Sequence, residues 1–193
     1  KSFEAVLQAS EAQGRADNLL LLTGDLASDC QPEAYRLLNK TLTEKAREAI
    51  WLPGNHDNVE IMQTNLSAYP RARIHQAESW SILLLDSSKA GQPGGHFSDA
   101  ELSFAAQSLK KLAGKPVLVA MHHSPVAVNS AWLDRQQIDN HQSLYEMLVA
   151  HGQVQAVITG HVHQHDSMWG TIPVYSTPSS CVQFEQHSDD FAL

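Results

Sequence analysis

Val154-Gln155-Ala156-Val157-Ile158-Thr159-Gly160-His161-Val162-His163 is a short apolar run that ends abruptly in a glycine and two histidines. A few apolar residues bounded by a turn former read as a buried strand, and the polar tail reads as the loop that leaves it. The arrangement recurs three times upstream. Leu20-Leu21-Leu22-Thr23 runs into Gly24-Asp25, and Ile50-Trp51-Leu52-Pro53 into Gly54-Asn55-His56-Asp57. Val117-Leu118-Val119-Ala120-Met121 runs into His122-His123. Every run ends in oxygen or imidazole donors. In three of the four a glycine comes first, which lets backbone pass close by or adopt positive φ.

Between the strands, the spacing predicts helices. Phe3, Val6, Leu7 and Ser10 recur at a helical interval, and Pro32 suits a first helical turn. Residues 58–68 and 138–151 also read as helical, and Ser98-Asp99-Ala100-Glu101 is a capping-box pattern opening a helix through Leu112. Further strands are expected at 80–85, beside an edge strand near 73–77, and at 172–175 and 182–184. Alternating strands and helices of this kind predict an α/β fold whose apolar strands are covered on both faces. The chain opens within a helix and closes on Asp190-Phe191-Ala192-Leu193, which resembles the start of a strand. One domain spanning 1–193, cut short at both ends, is the expectation.

Composition sets limits on function. With 193 residues, 42% hydrophobic and 18% charged, the chain reads as an ordinary folded protein. A formal net charge of −8 leaves no basic footprint for extended nucleic acid or anionic lipid. A phosphate-bearing substrate then needs a bound cation to supply positive charge. No apolar run approaches the roughly 20 residues that span a bilayer. The first residues resemble neither a signal nor a transit peptide. Cys30 and Cys181 are too few for a disulfide framework, so a cytoplasmic setting is expected.

Eleven histidines are the compositional oddity. Open α/β sheets place their sites outside the carboxyl ends of the strands. Four adjacent strand ends would bring Asp25, Asn55, His122, His161 and His163 into one cleft. In an extended Gly-His-Val-His segment, alternation puts both imidazoles on the same side. Mixed imidazole, carboxylate and amide donors suit Fe, Mn or Zn better than a calcium cage.

These blocks resemble the calcineurin-like metallophosphoesterase superfamily, whose pattern is D-x-H, G-D-x-x-D, G-N-H-[D/E], a later histidine and G-H-x-H. The stretches TGDLASD (23–29), WLPGNHD (51–57), ILLLDS (82–87), MHHSPV (121–126), SAWLD (130–134) and TPSSCVQF (177–184) are most similar to the bacterial class III cyclic-nucleotide phosphodiesterases. The resemblance implies a sandwich of two mixed β-sheets flanked by helices, lacking its first strand and C-terminal elements. It places the D-x-H block before Lys1. It also implies that Asp25 bridges two metal ions, that Asn55, His122 and His161 complete one site, and that His163 serves the other. The implied activity is hydrolysis of a small phosphodiester, 3',5'-cyclic AMP above others, by attack of a metal-bound hydroxide. His56 would stabilise the transition state or protonate the leaving group. A homodimer is also open.

Several roles stay undecided in the sequence. The family aspartate that orients the GNHD histidine is Ser28 here, which makes Asp29 the nearest candidate. His123 either touches substrate phosphate or hydrogen-bonds beneath the site. Trp132 either stacks a base or packs a loop. Asp57 would fix its turn, and Asp86 would be structural. Cys181 reads as a small buried thiol, and Cys30 as remote from the site. His96 reads as a surface residue, and His75, His141, His151, His165 and His187 call for no function. The rival readings are another phosphodiester or phosphomonoester hydrolase of the superfamily, and a metal-binding domain inactive because its second site is incomplete.

Overall fold

A computed structural model describes residues 3–15, 18–163 and 167–193, so His165 lies outside the described residues. The elements are α1 (Phe3–Ala12), β1 (Leu20–Leu22), α2 (Pro32–Glu44), β2 (Ala49–Trp51), α3 (Val59–Asn65), β3 (Ile74–Gln76) and β4 (Ser81–Leu84). They continue with α4 (Asp99–Lys111), β5 (Val117–Ala120), α5 (Ala131–Asp134), α6 (His141–His151), β6 (Val154–Thr159), β7 (Ser167–Trp169) and β8 (Ile172–Ser176). The expected strand at 182–184 is not formed, nor does a strand begin at Asp190. Both segments run as loop. The short α5 and the edge strand β7 were not anticipated.

Helix ends follow local chemistry. The Ser98 hydroxyl accepts from Glu101 N at 3.1 Å, opening α4. Asn58 does the same for α3, accepting from Ile61 N at 3.0 Å. Gly152, with φ 65°, closes α6 in the left-handed conformation. Glu101 turns its carboxylate away from the box, accepting from Asp86 N at 2.8 Å and pairing with Arg73.

Two sheets form. β1 and β2 pair in parallel, and a mixed six-stranded sheet runs β3-β4-β5-β6-β8-β7. Its four inner strands are parallel, and β3 and β7 pair antiparallel at its edges.

Side-chain alternation places three cores. Leu22, Ala49 and Trp51 face outward with Tyr35 and Leu42 of α2 and Met62 of α3. Ile50 and Leu52 face inward, meeting Ile82, Leu84 and Ala120 between the sheets. Leu83, Val117, Val119 and Met121 point the other way, onto Ala105 and Leu109 of α4 and Leu144 and Leu148 of α6. The result is helix, sheet, sheet, helix, as the two-sheet α/β sandwich requires. Its consequence for function is positional. The carboxyl ends of β1 and β2 in one sheet abut those of β5 and β6 in the other, along one rim.

Candidate metal centre

His122 is the joint between the sheets. Its ring Nδ1 lies 2.7 Å from the Thr23 carbonyl at the end of β1. A carbonyl only accepts, so Nδ1 carries the proton and the neutral ring keeps its lone pair on Nε2. That Nε2 sits 3.2 Å from Asn55 Oδ1 and 3.3 Å from Asp25 Oδ2. Three electron-rich atoms therefore face one another in a buried place. Such an arrangement repels itself unless positive charge stands among them, as a proton or a cation.

The titration behaviour points the same way. Burial works against ionisation of Asp25, yet the His122 hydrogen bond and charge, with the His56 N–H, hold its carboxyl well below the ordinary range. Burial likewise disfavours charge on His122, and Asp25 outweighs it, raising the histidine. Negative charge on Asp25 and positive charge on His122 thus support each other.

Around this point stand two imidazoles with unused nitrogens. Buried and unpartnered in the described structure are His161 Nε2 and His163 Nδ1. Leaving a buried polar atom unsatisfied costs about 1–3 kcal/mol, so such atoms call for an explanation. The His161 ring centroid is 5.0 Å from that of His122. Burial pushes His161 well below, and His163 down to about 4, leaving both neutral with a free lone pair at neutral pH. Neutral imidazole, carboxylate and amide oxygen are the states in which these groups bind Fe, Mn or Zn. The residues present fit such an ion.

A metal-binding cluster of imidazoles is present: ring nitrogens of His122, His123 and His161 lie within 4.8 Å of one another. His123 differs from its neighbours, because both its nitrogens are engaged. Nδ1 is 2.9 Å from Ser87 Oγ, and Nε2 is 3.1 Å from the Pro93 carbonyl. Burial lowers it to about 3. It has no free lone pair for an ion and no free N–H for substrate, so it hydrogen-bonds beneath the site.

The backbone is bent to make this rim. Seven non-glycine residues have positive φ among those described, and three of them are Asp25 (54°), His161 (50°) and His163 (53°). Asp and His tolerate that region better than most, but its concentration here marks a site. The Gly160–His163 segment is therefore not extended. His161 and His163 are presented by left-handed turns, and Val162 between them is buried in the protein. The glycines allow the loops to meet. A Cβ on Gly54 would lie 2.6 Å from Asp25 N and 2.7 Å from His122 Cε1, and one on Gly160 would lie 2.7 Å from the Thr23 carbonyl.

His56 stands exposed at the edge of this group. Its N–H donates to Asp25 Oδ1 at 3.0 Å, and its carbonyl accepts from the Cys30 thiol at 3.0 Å. Cys30 thus belongs beside the site, contrary to the sequence reading. The His56 ring Nδ1 lies 3.1 Å from the Ser28 carbonyl, and Asp29 is exposed without a contact to the ring. Backbone has taken the orienting task proposed for Asp29.

Asp57 accepts from Leu26 N (3.1 Å), Ala27 N (3.3 Å), Gly54 N (3.0 Å) and the Tyr35 hydroxyl (2.8 Å). It ties the loop carrying Asp25 to the loop carrying Asn55. Trp132 packs edge-on against Phe184 and Phe191, with centroids 4.9 and 5.4 Å away. Cys181 is exposed, not buried. Asp86 pairs with Arg71 at 3.0 Å, and His96 with Asp139 at 2.6 Å. Sequence reasoning missed the carbonyls of Thr23, Ser28 and Pro93, since any residue supplies a carbonyl and no letter marks it.

Comparison with known proteins agrees with this geometry. A family model described as calcineurin-like phosphoesterase matches residues 1–165. A 3',5'-cyclic-nucleotide phosphodiesterase of Nostoc sp. is 37% identical over 196 residues, covering 100% of this chain and 74% of its own length. The 3',5'-cyclic adenosine monophosphate phosphodiesterase CpdA of Vibrio vulnificus is 34% identical over 197 residues, covering 100% and 72%. The crystal structure of a dimetal phosphatase from Danio rerio superposes with a TM-score of 0.68 at 15% identity, over 97% of this chain and 79% of that one. At that identity the likeness is one of fold.

Proposed function

The chain belongs to the calcineurin-like phosphoesterase family, related to the bacterial class III cyclic-nucleotide phosphodiesterases, and from that premise we propose that it hydrolyses a small phosphodiester, 3',5'-cyclic AMP foremost, to 5'-AMP. One observation carries the reading. Asp25, Asn55 and His122 turn lone pairs toward one another at the same rim that holds the orphan nitrogens of His161 and His163.

Asp25, Asn55, His122 and His161 would hold one ion, and His163 with a shared Asp25 would serve a second, either being Fe or Mn, with Zn as the alternative. Bound there, such ions activate a water nucleophile and offset the charge on the phosphoryl oxygens. The remaining work falls to the chain. Asp25 supplies the negative charge that keeps cations at the rim. His56, with Nδ1–H committed to the Ser28 carbonyl, presents only Nε2 outward. As imidazolium, it would donate its Nε2 proton to the 3'-oxygen as the water oxygen bonds to phosphorus and the P–O3' bond breaks. His123 holds the floor beneath His122 and His161.

The size of the substrate follows from charge. With 13 Lys and Arg against 21 Asp and Glu, the chain favours a small ester over a polynucleotide. The relatives' names supply the cyclic nucleotide.

The test is turnover by the metal-loaded protein on cyclic AMP, cyclic GMP and bis(nitrophenyl) phosphate, with 5'-AMP followed chromatographically. Release of 5'-AMP, lost on chelation and regained with Mn(II) or Fe(II), supports the proposal. A second reading rests on the ligand count: one site has four donors here, whereas the other has His163 and the shared Asp25. On that reading the chain binds metal but needs further ligands for catalysis. Stoichiometric metal without turnover would favour it, and hydrolysis of other esters with cyclic AMP untouched would move the substrate within the family.

A further inference from the structure

His163 is held by two consecutive residues, Gln183 and Phe184, from beyond β8. The chain leaves β8 at Ser176, and Thr177 N donates to the Thr159 carbonyl at 3.1 Å. Thr177 Oγ1 also reaches Thr23 Oγ1 at 3.4 Å, so the segment crosses the rim where both sheets end. Beyond it lie Gln183 and Phe184, which meet His163, whose buried Nδ1 has no hydrogen-bond partner among the described residues. The Gln183 amide uses both ends: Oε1 accepts from Ser179 N at 3.3 Å, and Nε2 donates to the His163 carbonyl. Phe184 lies flat on the imidazole, with centroids 4.1 Å apart and planes within 6°.

Phe184 is itself fixed. Trp132 of α5 meets it edge-on at 4.9 Å and 84°, and Phe191 at 5.8 Å and 69°. Ser130 Oγ donates to the Ser188 carbonyl at 2.7 Å, and Glu185 N to the Ala192 carbonyl at 3.0 Å. These contacts tether the loop to α5 and to itself. One face of the ring and the backbone carbonyl of His163 are thus constrained, and its Nδ1 has no partner among the described residues.

We propose that Phe184 is a positioning residue for His163: it clamps the imidazole so that Nδ1 is presented to an ion at the rim. The assignment rests on the proposed function in taking His163 as a metal ligand. Phe184 lies beyond the residues 1–165 that the family model matches, within the TPSSCVQF stretch that resembles the cyclic-nucleotide phosphodiesterases. A metal-ligating histidine depends on whatever fixes its tautomer and ring orientation, and losing that support typically costs 10–100-fold in affinity. The clamp fixes ring orientation with an aromatic face where a carboxylate is the commoner partner.

The experiment is a Mn(II) titration of the metal-free protein, followed by electron paramagnetic resonance. It compares the wild type with Phe184→Leu, Phe184→Tyr and His163→Ala. Leucine keeps the apolar bulk and removes the flat face, whereas tyrosine keeps the face. Phe184→Leu is expected to weaken, about 10–100-fold, only the binding step that His163→Ala weakens. Phe184→Tyr is expected to restore it.

Wild-type affinity in Phe184→Leu would overturn the proposal, as would loss of all binding in step with a lowered unfolding midpoint. A wild type that binds no Mn(II) overturns this assignment and the proposed function together. The predicted affinity pattern without ester hydrolysis sinks the proposed function alone.

Discussion

His56 and His123 occupy neighbouring loops and do opposite jobs, and the difference lies in which nitrogens the protein has used. His56 spends Nδ1–H on the Ser28 carbonyl and leaves Nε2 without an internal partner among the described residues. His56→Asn should therefore leave metal content unchanged while lowering kcat on a phosphodiester about 10²–10⁴-fold, the usual worth of a general acid. Metal analysis beside steady-state kinetics checks both halves. His123 spends both nitrogens internally and is held neutral, with burial lowering it to about 3. Its unfolded value is near 6.5, so between about pH 6.5 and 3 the unfolded chain binds a proton that the folded chain refuses. Its contribution to stability is full above that window and is lost as pH falls through it. Replacing it removes that linkage. Urea unfolding of metal-free His123→Asn should show a pH dependence shallower by about one proton across that window than the wild type, and an unchanged slope would refute the assignment.

At the scale of elements, two loops from one sheet are locked together by a single carboxylate. Asp57 collects N–H groups from Leu26, Ala27 and Gly54, and the Tyr35 hydroxyl from α2. Asp57→Ala strands these buried donors at about 1–3 kcal/mol each before relaxation. It should lower stability by about 2–4 kcal/mol and weaken metal binding at Asp25 and Asn55. Tyr35→Phe removes one bond and should cost about 1 kcal/mol with metal affinity intact. Denaturant unfolding with and without Mn(II) separates the two.

The strands bearing the site were legible because runs such as Leu20–Leu22 and Val117–Ala120 are apolar on both faces, which only a sandwich between sheet and helices explains. β7 was not legible: Ser167-Met168-Trp169 is short, edge-placed and mixed in character. The Val182–Phe184 segment carries strand-forming letters, but the side chains of Gln183 and Phe184 are engaged by His163 and α5 instead. Gly-His-Val-His signalled its histidines while hiding its geometry, since left-handed φ at a histidine leaves no mark in the sequence.

Across the whole molecule, the rim belongs to both sheets at once. Asp25 and Asn55 come from loops after β1 and β2, and His122 and His161 from loops after β5 and β6. Direct His122–Thr23, His122–Asn55, His122–Asp25 and Thr23–Thr177 contacts, with the apolar layer of Ile50, Leu52, Ile82 and Leu84, join the halves near that edge. An ion gripped by all four residues acts as a cross-link. Mn(II) at a hundred times its Kd should stabilise the folded state by about 2.7 kcal/mol, seen as a rise in unfolding midpoint that chelation reverses. The negative charge of −8 agrees with a protein that gathers cations at one point and does not spread across a polyanion. Among the described residues, no helix is long and apolar enough to cross a membrane.

The most direct measurement is anomalous diffraction from crystals soaked in Mn(II), recorded near the manganese edge. The account predicts a strong peak at ligand distance from Asp25 Oδ2, Asn55 Oδ1, His122 Nε2 and His161 Nε2, with His123 outside the coordination sphere. Saturating Mn(II) that leaves those atoms bare, or that gathers on surface carboxylates instead, would contradict it.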